Sequence, residues 1–255
     1  MIEIKNVSKE YWTSTKKTPF PFFNPKSKIT AVNQISLTCN KGRIFTLLGP
    51  NGAGKTTTLR MIATIIKPTK GEIHVSGNSV ADQPEAVRRS IGFLTGNTGL
   101  YDRLTAYELI RYFADLNSLN RDEFEERFDE LTHLLEMRDY IHRRIGTLST
   151  GMKQKISIVR TIIHDPDVVI FDEPTSGLDV ITSKHIIKLI QDCKNRGKTV
   201  IFSTHRMGEV RLLAEDLGII HQGKLLFNGP LNELLSSSQE SFEDQFINMI
   251  NEGSS

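Results

Sequence analysis

Apolar and polar residues alternate in "IEIKNV" (residues 2–7), and a period of two predicts a strand. The stretch "WTSTKKTPFPFFNPKSKIT" (12–30) breaks that period with three prolines and several lysines, and reads as a long loop. Phe20, Phe22 and Phe23 inside it are candidate anchors for a partner, against the plainer reading of a surface hairpin. "AVNQISLTC" (31–39) and "RIFTLLG" (43–49) are two further strands, and the second runs into a Gly-rich turn that opens a helix. Short strands follow at "GEIHVSG" (71–77) and "IGFL" (91–94), the latter after a short helical stretch.

From Thr105 to about Leu148 the pattern becomes helical throughout, with Phe124, Phe128, Leu131 and Leu135 on one face. From Gly151 helices and strands alternate again: helix "GMKQKISIVRTIIHD", strand "VVIF", helix "SKHIIKLIQDCKNRG", strand "TVIFST", a helix, then strand "LGIIHQ". Strands alternating with helices predict an α/β fold with a mainly parallel sheet covered on both faces. The helical block between the two α/β halves reads as an inserted subdomain, and "SFEDQFINMI" (241–250) as a short amphipathic tail helix.

Composition adds limits. The 255 residues fit one large domain, and 32 basic against 30 acidic residues leave a net charge of +2. Such balance gives no argument for a nucleic-acid partner or a charged membrane surface. The two cysteines, Cys39 and Cys193, have no metal or redox spacing and suit a reducing compartment. No apolar run reaches the roughly 18–20 residues of a membrane span, so any spans are expected from another polypeptide.

The chemistry-bearing stretch comes next. "GPNGAGKTT", from Gly49, Pro50, Asn51, Gly52, Ala53 and Gly54 through Lys55, Thr56 and Thr57, contains G-x-x-x-x-G-K-[ST] between a predicted strand and a helix. Glycines there let backbone amides turn inward onto phosphate oxygens, and the helix N-terminus adds partial positive charge. Lys55 reaches the β- and γ-phosphates, and Thr56 offers a hydroxyl to Mg²⁺. "VVIFDE" ends a buried strand in two acids. Asp172 is the expected holder of the magnesium shell, and Glu173, aimed differently, the group that polarises an attacking water.

Four more features narrow the class: "LSTGMKQK" (148–155), "TSGLD" (175–179), His205 after "TVIFST", and Tyr11, expected in the first loop, far upstream. With these the sequence resembles the ATP-binding cassette (ABC) ATPases along almost its whole length. The resemblance implies a P-loop NTPase fold with an N-terminal antiparallel β subdomain and an inserted all-helical subdomain. It implies an ATPase domain over 1–229, the insert over about 97–155 carrying the signature motif, and a helical tail over 230–255. Tyr11 corresponds to the aromatic that stacks on adenine, with Trp12 the lesser candidate. Ser149 and Gly151 correspond to signature residues that contact the γ-phosphate held by the opposite subunit. Asp179 corresponds to the acid that couples the two sites, and His205 to the switch histidine beside Glu173. ATP and Mg²⁺ are the implied cofactors. The implied partners are an integral-membrane permease subunit and a second cassette, read as an identical chain, with no nucleic acid. The implied place is the cytoplasmic face of the cell membrane, as a peripheral subunit.

Three positions depart from the family pattern. Thr150 and Met152 replace a glycine and a glutamine of the signature, and Gly96 stands where the family has a glutamine that senses magnesium. Asn97, one position over, or a water is the candidate substitute. Tyr101, Arg103 and Tyr107 are candidate groove residues for the permease. Within the family, "GFLTGNTGLYDRLT", "LSTGMKQK" and "SFEDQF" most resemble cassettes of the sodium-extruding NatA type and related exporters. The alternatives carried beside an exporter subunit are a soluble ABC ATPase and a non-hydrolysing regulatory cassette.

Overall fold

The computed structural model describes residues 1–14, 26–96, 99–236 and 240–253. Phe20, Phe22, Phe23 and Asn97 lie outside them. Two sheets organise the chain. Strands β1 (Ile2–Ser14), β2 (Lys26–Cys39), β4 (Lys70–Val75) and β5 (Asn78–Ser79) form an antiparallel sheet in the order β2-β1-β4-β5. Strands β3 (Ile44–Leu48), β6 (Ile91–Leu94), β7 (Val168–Asp172), β8 (Thr199–Thr204), β9 (Asp216–His221) and β10 (Lys224–Pro230) form the second, ordered β10-β9-β3-β8-β7-β6. It is parallel except at β10, which runs antiparallel to β9.

The parallel strands are apolar runs because both faces are covered. Val168 and Ile170 face one core, with Phe45, Leu47 and the inner face of the antiparallel sheet. Val169 and Phe171 face the other, with Val200, Phe202 and the helices on that side. Those helices include α3 (Ala106–Leu116), α4 (Arg121–Leu134), α5 (Thr150–Ile162) and α6 (Val180–Asn195). Phe124, Phe128, Leu131 and Leu135 are all buried in this core, as their spacing predicts.

The helical block is tied down at both ends. Capping boxes start α3 (Thr105 with Glu108) and α4 (Asn120 with Glu123), each satisfying first-turn amides. Ile145 N–H donates to Leu104 O (2.9 Å) and Gly146 N–H to Asp102 O (3.0 Å), so entry and exit of the block run together. Arg127 of α4 donates from Nε to Ile163 O (2.7 Å) and from Nη2 to Ile162 O (3.0 Å), satisfying carbonyls at the end of α5. The block is not helical throughout, because residues 135–144 form turns before a 3₁₀ turn at Ile145–Thr147.

Three expectations are corrected here. The 12–30 stretch is strand at both ends, with β1 reaching Ser14 and β2 starting at Lys26. Cross-strand pairs hold this extension: Lys28 to Glu10 at 2.8 Å and Thr13 Oγ1 to Ser27 Oγ at 3.0 Å. Tyr11 therefore sits within a strand. Tyr107 is not free to line a groove, since its ring packs edge-on against Phe124 (5.5 Å) and Phe128 (5.2 Å) and its hydroxyl donates to Glu125 (2.6 Å). Tyr101 and Arg103 are exposed.

Candidate functional site

The C-terminal ends of β3, β7 and β8 lie side by side, with Leu48 opposite Thr204 and Asp172 opposite Ser203. In open α/β sheets this edge is where ligands bind. β3 leads through residues 49–54 into α1 (Lys55–Ile62). Gly52 and Gly54 have φ of +80° and +110°, a region that disfavours any side chain. Gly54 also packs so closely that a Cβ would lie 2.6 Å from Ala31 O. Among the described residues no side chain caps the start of α1, the arrangement of first-turn amides that suits an anion.

Lys55 is buried and its ammonium is fully engaged. It donates to Gly49 O (2.7 Å) and Pro50 O (3.1 Å) and lies 3.2 Å from Glu173 Oε1. Buried charges require such partners. Asp172, 4% exposed, ends β7, and Ser203 Oγ donates to its Oδ1 at 2.6 Å. Glu173 turns out of the strand with φ +49°, anchored by its N–H to Ser203 Oγ (3.1 Å) and Ser203 O (3.2 Å). A left-handed backbone at a non-glycine costs about 1–3 kcal/mol and is kept where surroundings over-determine it. It directs the two acids apart, and Glu173 Oε2 meets His205 Nδ1 at 3.2 Å.

Asn51, Thr56, Asp172 and Glu173 line a cleft of about 450 Å³ together with Gly96, Thr150 and Gln154. That volume lies in the range of small-ligand sites. The Thr56 hydroxyl and Asp172 carboxylate are hard oxygen donors beside a helix N-terminus. This donor set fits Mg²⁺ bound together with phosphate oxygens. Ala53 is buried, and its carbonyl accepts from Gly223 N–H (2.8 Å); Thr57 is half-buried in the first turn of α1.

The remaining expected residues stand elsewhere. Ser149 caps α5, accepting from Met152 N–H at 3.3 Å. Asp179 caps α6, accepting from Thr182 N–H and Thr182 Oγ1, both at 2.8 Å. Those bonds, the backbone one first, hold the Asp179 carboxyl below the usual carboxylate range. A Cβ on Gly151 would lie 3.2 Å from Thr182 Oγ1 and 3.8 Å from Asp179 Oδ2, so Gly151 and Asp179 are neighbours. Neither they nor Ser149 line the cleft. Tyr11 is 38% exposed, opposite Ile29 on β2, with Lys9 Nζ 5.2 Å from its ring.

Several residues of the site escaped sequence reasoning. Ser203 was readable as a polar interruption of a buried strand. Gln154, whose Nε2 donates to Pro174 O at 2.8 Å, lies within "LSTGMKQK" but drew no role of its own, and Glu209, on α7 (Met207–Leu213), had no local signal.

A phosphate loop, a magnesium-type oxygen pair and a strand-end acid facing a histidine define a P-loop NTPase. The sequence profile of the ABC transporter family matches residues 32–176, and the chain belongs to that family as an ATP-binding subunit. It is an ATPase that uses ATP with Mg²⁺. It is 46% identical over 219 residues to the ABC transporter ATP-binding protein NatA of Bacillus subtilis (strain 168), covering 86% of this chain and 89% of that protein. It is 35% identical to the bacitracin transport ATP-binding protein BcrA of Bacillus licheniformis, over 84% of this chain and 70% of that one. The dimeric, post-hydrolysis structure of the cassette MJ0796 with ADP and Pi superposes with a TM-score of 0.78 at 26% identity, covering 91% of this chain and 99% of that chain.

Proposed function

We propose that this chain powers export through separate membrane subunits by closing head to tail with a second copy of itself on ATP and Mg²⁺. Residues 1–229 act as the ATPase domain, with about 97–155 as its helical insert and 230–255 as a tail. Among the described residues no helix is long and apolar enough to cross a membrane, so in this reading a permease supplies the spans. The chain then works at the cytoplasmic face of the membrane.

In this reading the loop of residues 49–54, the N–H groups of the first turn of α1 and the Lys55 ammonium bind the phosphates, while Thr56 and Asp172 hold Mg²⁺. Bound there, Mg²⁺ would supply charge neutralisation to the phosphates. Glu173 takes the proton of a water as the water oxygen bonds to the γ-phosphorus and the bond to the β–γ bridging oxygen breaks. His205 orients Glu173. Tyr11 stacks on adenine. Ser149 and Gly151 reach the nucleotide of the opposite copy, which accounts for their position outside their own chain's cleft, and Asp179 couples the two sites. Tyr101 and Arg103 face the permease.

The observation that carries the reading is Glu173 held between Lys55 and His205, at 3.2 Å to each, at the mouth of the phosphate loop. A general base contributes about 10²–10⁴-fold. Glu173→Gln should lose hydrolysis by that factor, keep ATP binding and accumulate an ATP-dependent dimer on light scattering. Undiminished hydrolysis in that variant would reject the assignment.

For the solute we propose sodium ions, as in cassettes of the NatA type, supported by the 46% identity. The relative named for bacitracin transport favours an antibiotic as the second reading. ATP-driven ²²Na⁺ uptake into inside-out vesicles containing the complex, lost in Glu173→Gln, separates the two.

A further inference from the structure

Glu209 is 6% exposed on α7, four residues beyond His205. A carboxylate at that depth is costly unless both oxygens find donors. Oε1 accepts from Thr175 Oγ1 at 2.6 Å and from Arg206 Nη1 at 3.2 Å. Oε2 accepts from Thr204 Oγ1 at 2.7 Å. The Thr204 hydroxyl in turn accepts from Arg206 N–H at 3.0 Å.

The sequence positions of these partners give the arrangement its meaning. Thr175 is two residues past Glu173, and Thr204 is the residue before His205. One carboxylate therefore joins the segment carrying the acid to the segment carrying the histidine. Glu209 itself does not line the nucleotide cleft. Its reach to the chemistry runs through the two threonines, and what it fixes is the separation behind the 3.2 Å contact of Glu173 with His205. Misplacing a catalytic group by about 1 Å costs on the order of 10²-fold in rate.

We propose that Glu209 is a positioning residue for hydrolysis, a bridge that holds Glu173 and His205 in register by accepting from Thr175 on one side and Thr204 on the other. The proposal rests on the catalytic assignment of Glu173 and His205 given above. It differs from a purely structural role for a buried carboxylate, which would support folding and leave the turnover of folded protein alone.

The two arms make it testable in the full-length chain, by steady-state hydrolysis with kcat and KM for ATP measured separately and thermal unfolding alongside. Thr175→Val and Thr204→Val each remove one arm with little change of shape. Each should lower kcat about tenfold while KM stays within about threefold, the pattern of an interaction that matters in the transition state. Because either loss opens the same bridge, the double variant should be no slower than the slower single one. Independent structural effects would instead multiply to about a hundredfold, since sites that share no interaction add in free energy. Glu209→Ala should fall about 10²-fold, and Glu209→Gln should recover part of that loss by keeping one acceptor oxygen. Wild-type kcat in the folded threonine variants, or multiplied effects in the double, overturns the proposal. If Glu209→Ala does not fold, the threonine pair decides alone. Glu173→Gln is measured in the same series. Full hydrolysis there overturns the catalytic reading and this proposal with it. Slow hydrolysis there with wild-type turnover in the threonine variants overturns the bridge alone.

Discussion

Two glycines of the phosphate loop offer a quantitative test of how the loop is held. Gly52 and Gly54 both have positive φ, +80° and +110°, so alanine at either one meets a backbone penalty of at least about 1–2 kcal/mol, no smaller at Gly54, which lies further from the left-handed region. Their surroundings differ. A Cβ on Gly52 meets nothing within 4 Å, whereas one on Gly54 lies 2.6 Å from Ala31 O, with Ile220 Cδ1 at 3.4 Å and Gly223 Cα at 3.5 Å. The obstacle is backbone in β2, and it is tied in place, since Asn33 N–H donates to Gly223 O (2.8 Å) and Gly223 N–H to Ala53 O (2.8 Å). Restoring an ordinary contact of 3.4 Å requires β2 and α1 to part by about 0.8 Å. Overpacking of that kind adds about 1–3 kcal/mol. Gly52→Ala should therefore lower the thermal midpoint by about 2–8 °C, and Gly54→Ala by about 4–20 °C, at the 2–4 °C per kcal/mol usual for this size. The displacement falls on Lys55 and Thr56, the next two residues. Gly54→Ala should also lose on the order of 10²-fold in hydrolysis, by the same sensitivity to ångström-scale misplacement. Thermal unfolding and steady-state turnover on both variants check this. Equal midpoints and equal turnover in the two would refute the claim that β2 braces the phosphate loop.

Other measurements probe the scaffold. Phe124 is fully buried against Tyr107 and Phe128, with the Arg111 guanidinium 4.8 Å from its ring centre. Phe124→Ala should cost about 3–5 kcal/mol, read as a lower midpoint in thermal unfolding, and a change within error would show that the helical block does not share the main core. His164 lies where burial holds its imidazole below the usual histidine range, with Nε2 against Ile91 O at 3.2 Å and Nδ1 buried without a partner. A folded pKa below the unfolded value means that the unfolded chain takes up the proton first. The stability from neutral His164 is thus complete above about pH 6.5 and is lost as pH falls from there through the lower folded value. His164→Gln should flatten the decline of the thermal midpoint below pH 6.5, and an unaltered slope would remove His164 as its source.

What was legible in the sequence follows from how local each signal is. Lys55, Thr56 and the glycines before them belong to one short loop, and the strand and helix that position it adjoin it in the chain. The two-faced burial of β7 was readable because Val168, Val169, Ile170 and Phe171 form an unbroken apolar run, the mark of a strand covered on both sides. The edge strand β10 was missed because it is half-exposed, so no alternation marks it. The length of the β1–β2 hairpin was hidden because polar residues such as Thr13 and Ser27 pair with each other across strands, a preference that prolines and lysines nearby mask.

The proposed catalytic pair is a different kind of case. Glu173 and His205 are 32 positions apart, and their meeting depends on β7 and β8 being neighbours in register, Asp172 against Ser203. That adjacency places the two side chains on the same edge of the sheet. It does not by itself set a 3.2 Å contact between a residue one step past each strand, because both have left the ladder that fixes register. Beyond the last rung, geometry has to be held by side chains. Ser203 does this for Asp172 and for the Glu173 amide, and Glu209 does it for the two segments that leave the sheet. Neither residue has a motif, since a serine in a strand and a glutamate in a helix are common. Their role is visible only once burial and hydrogen-bond partners are known. The residues proposed to touch substrate can be read from the chain because they share one short loop or strand end, whereas those that hold two such segments together belong to the tertiary structure.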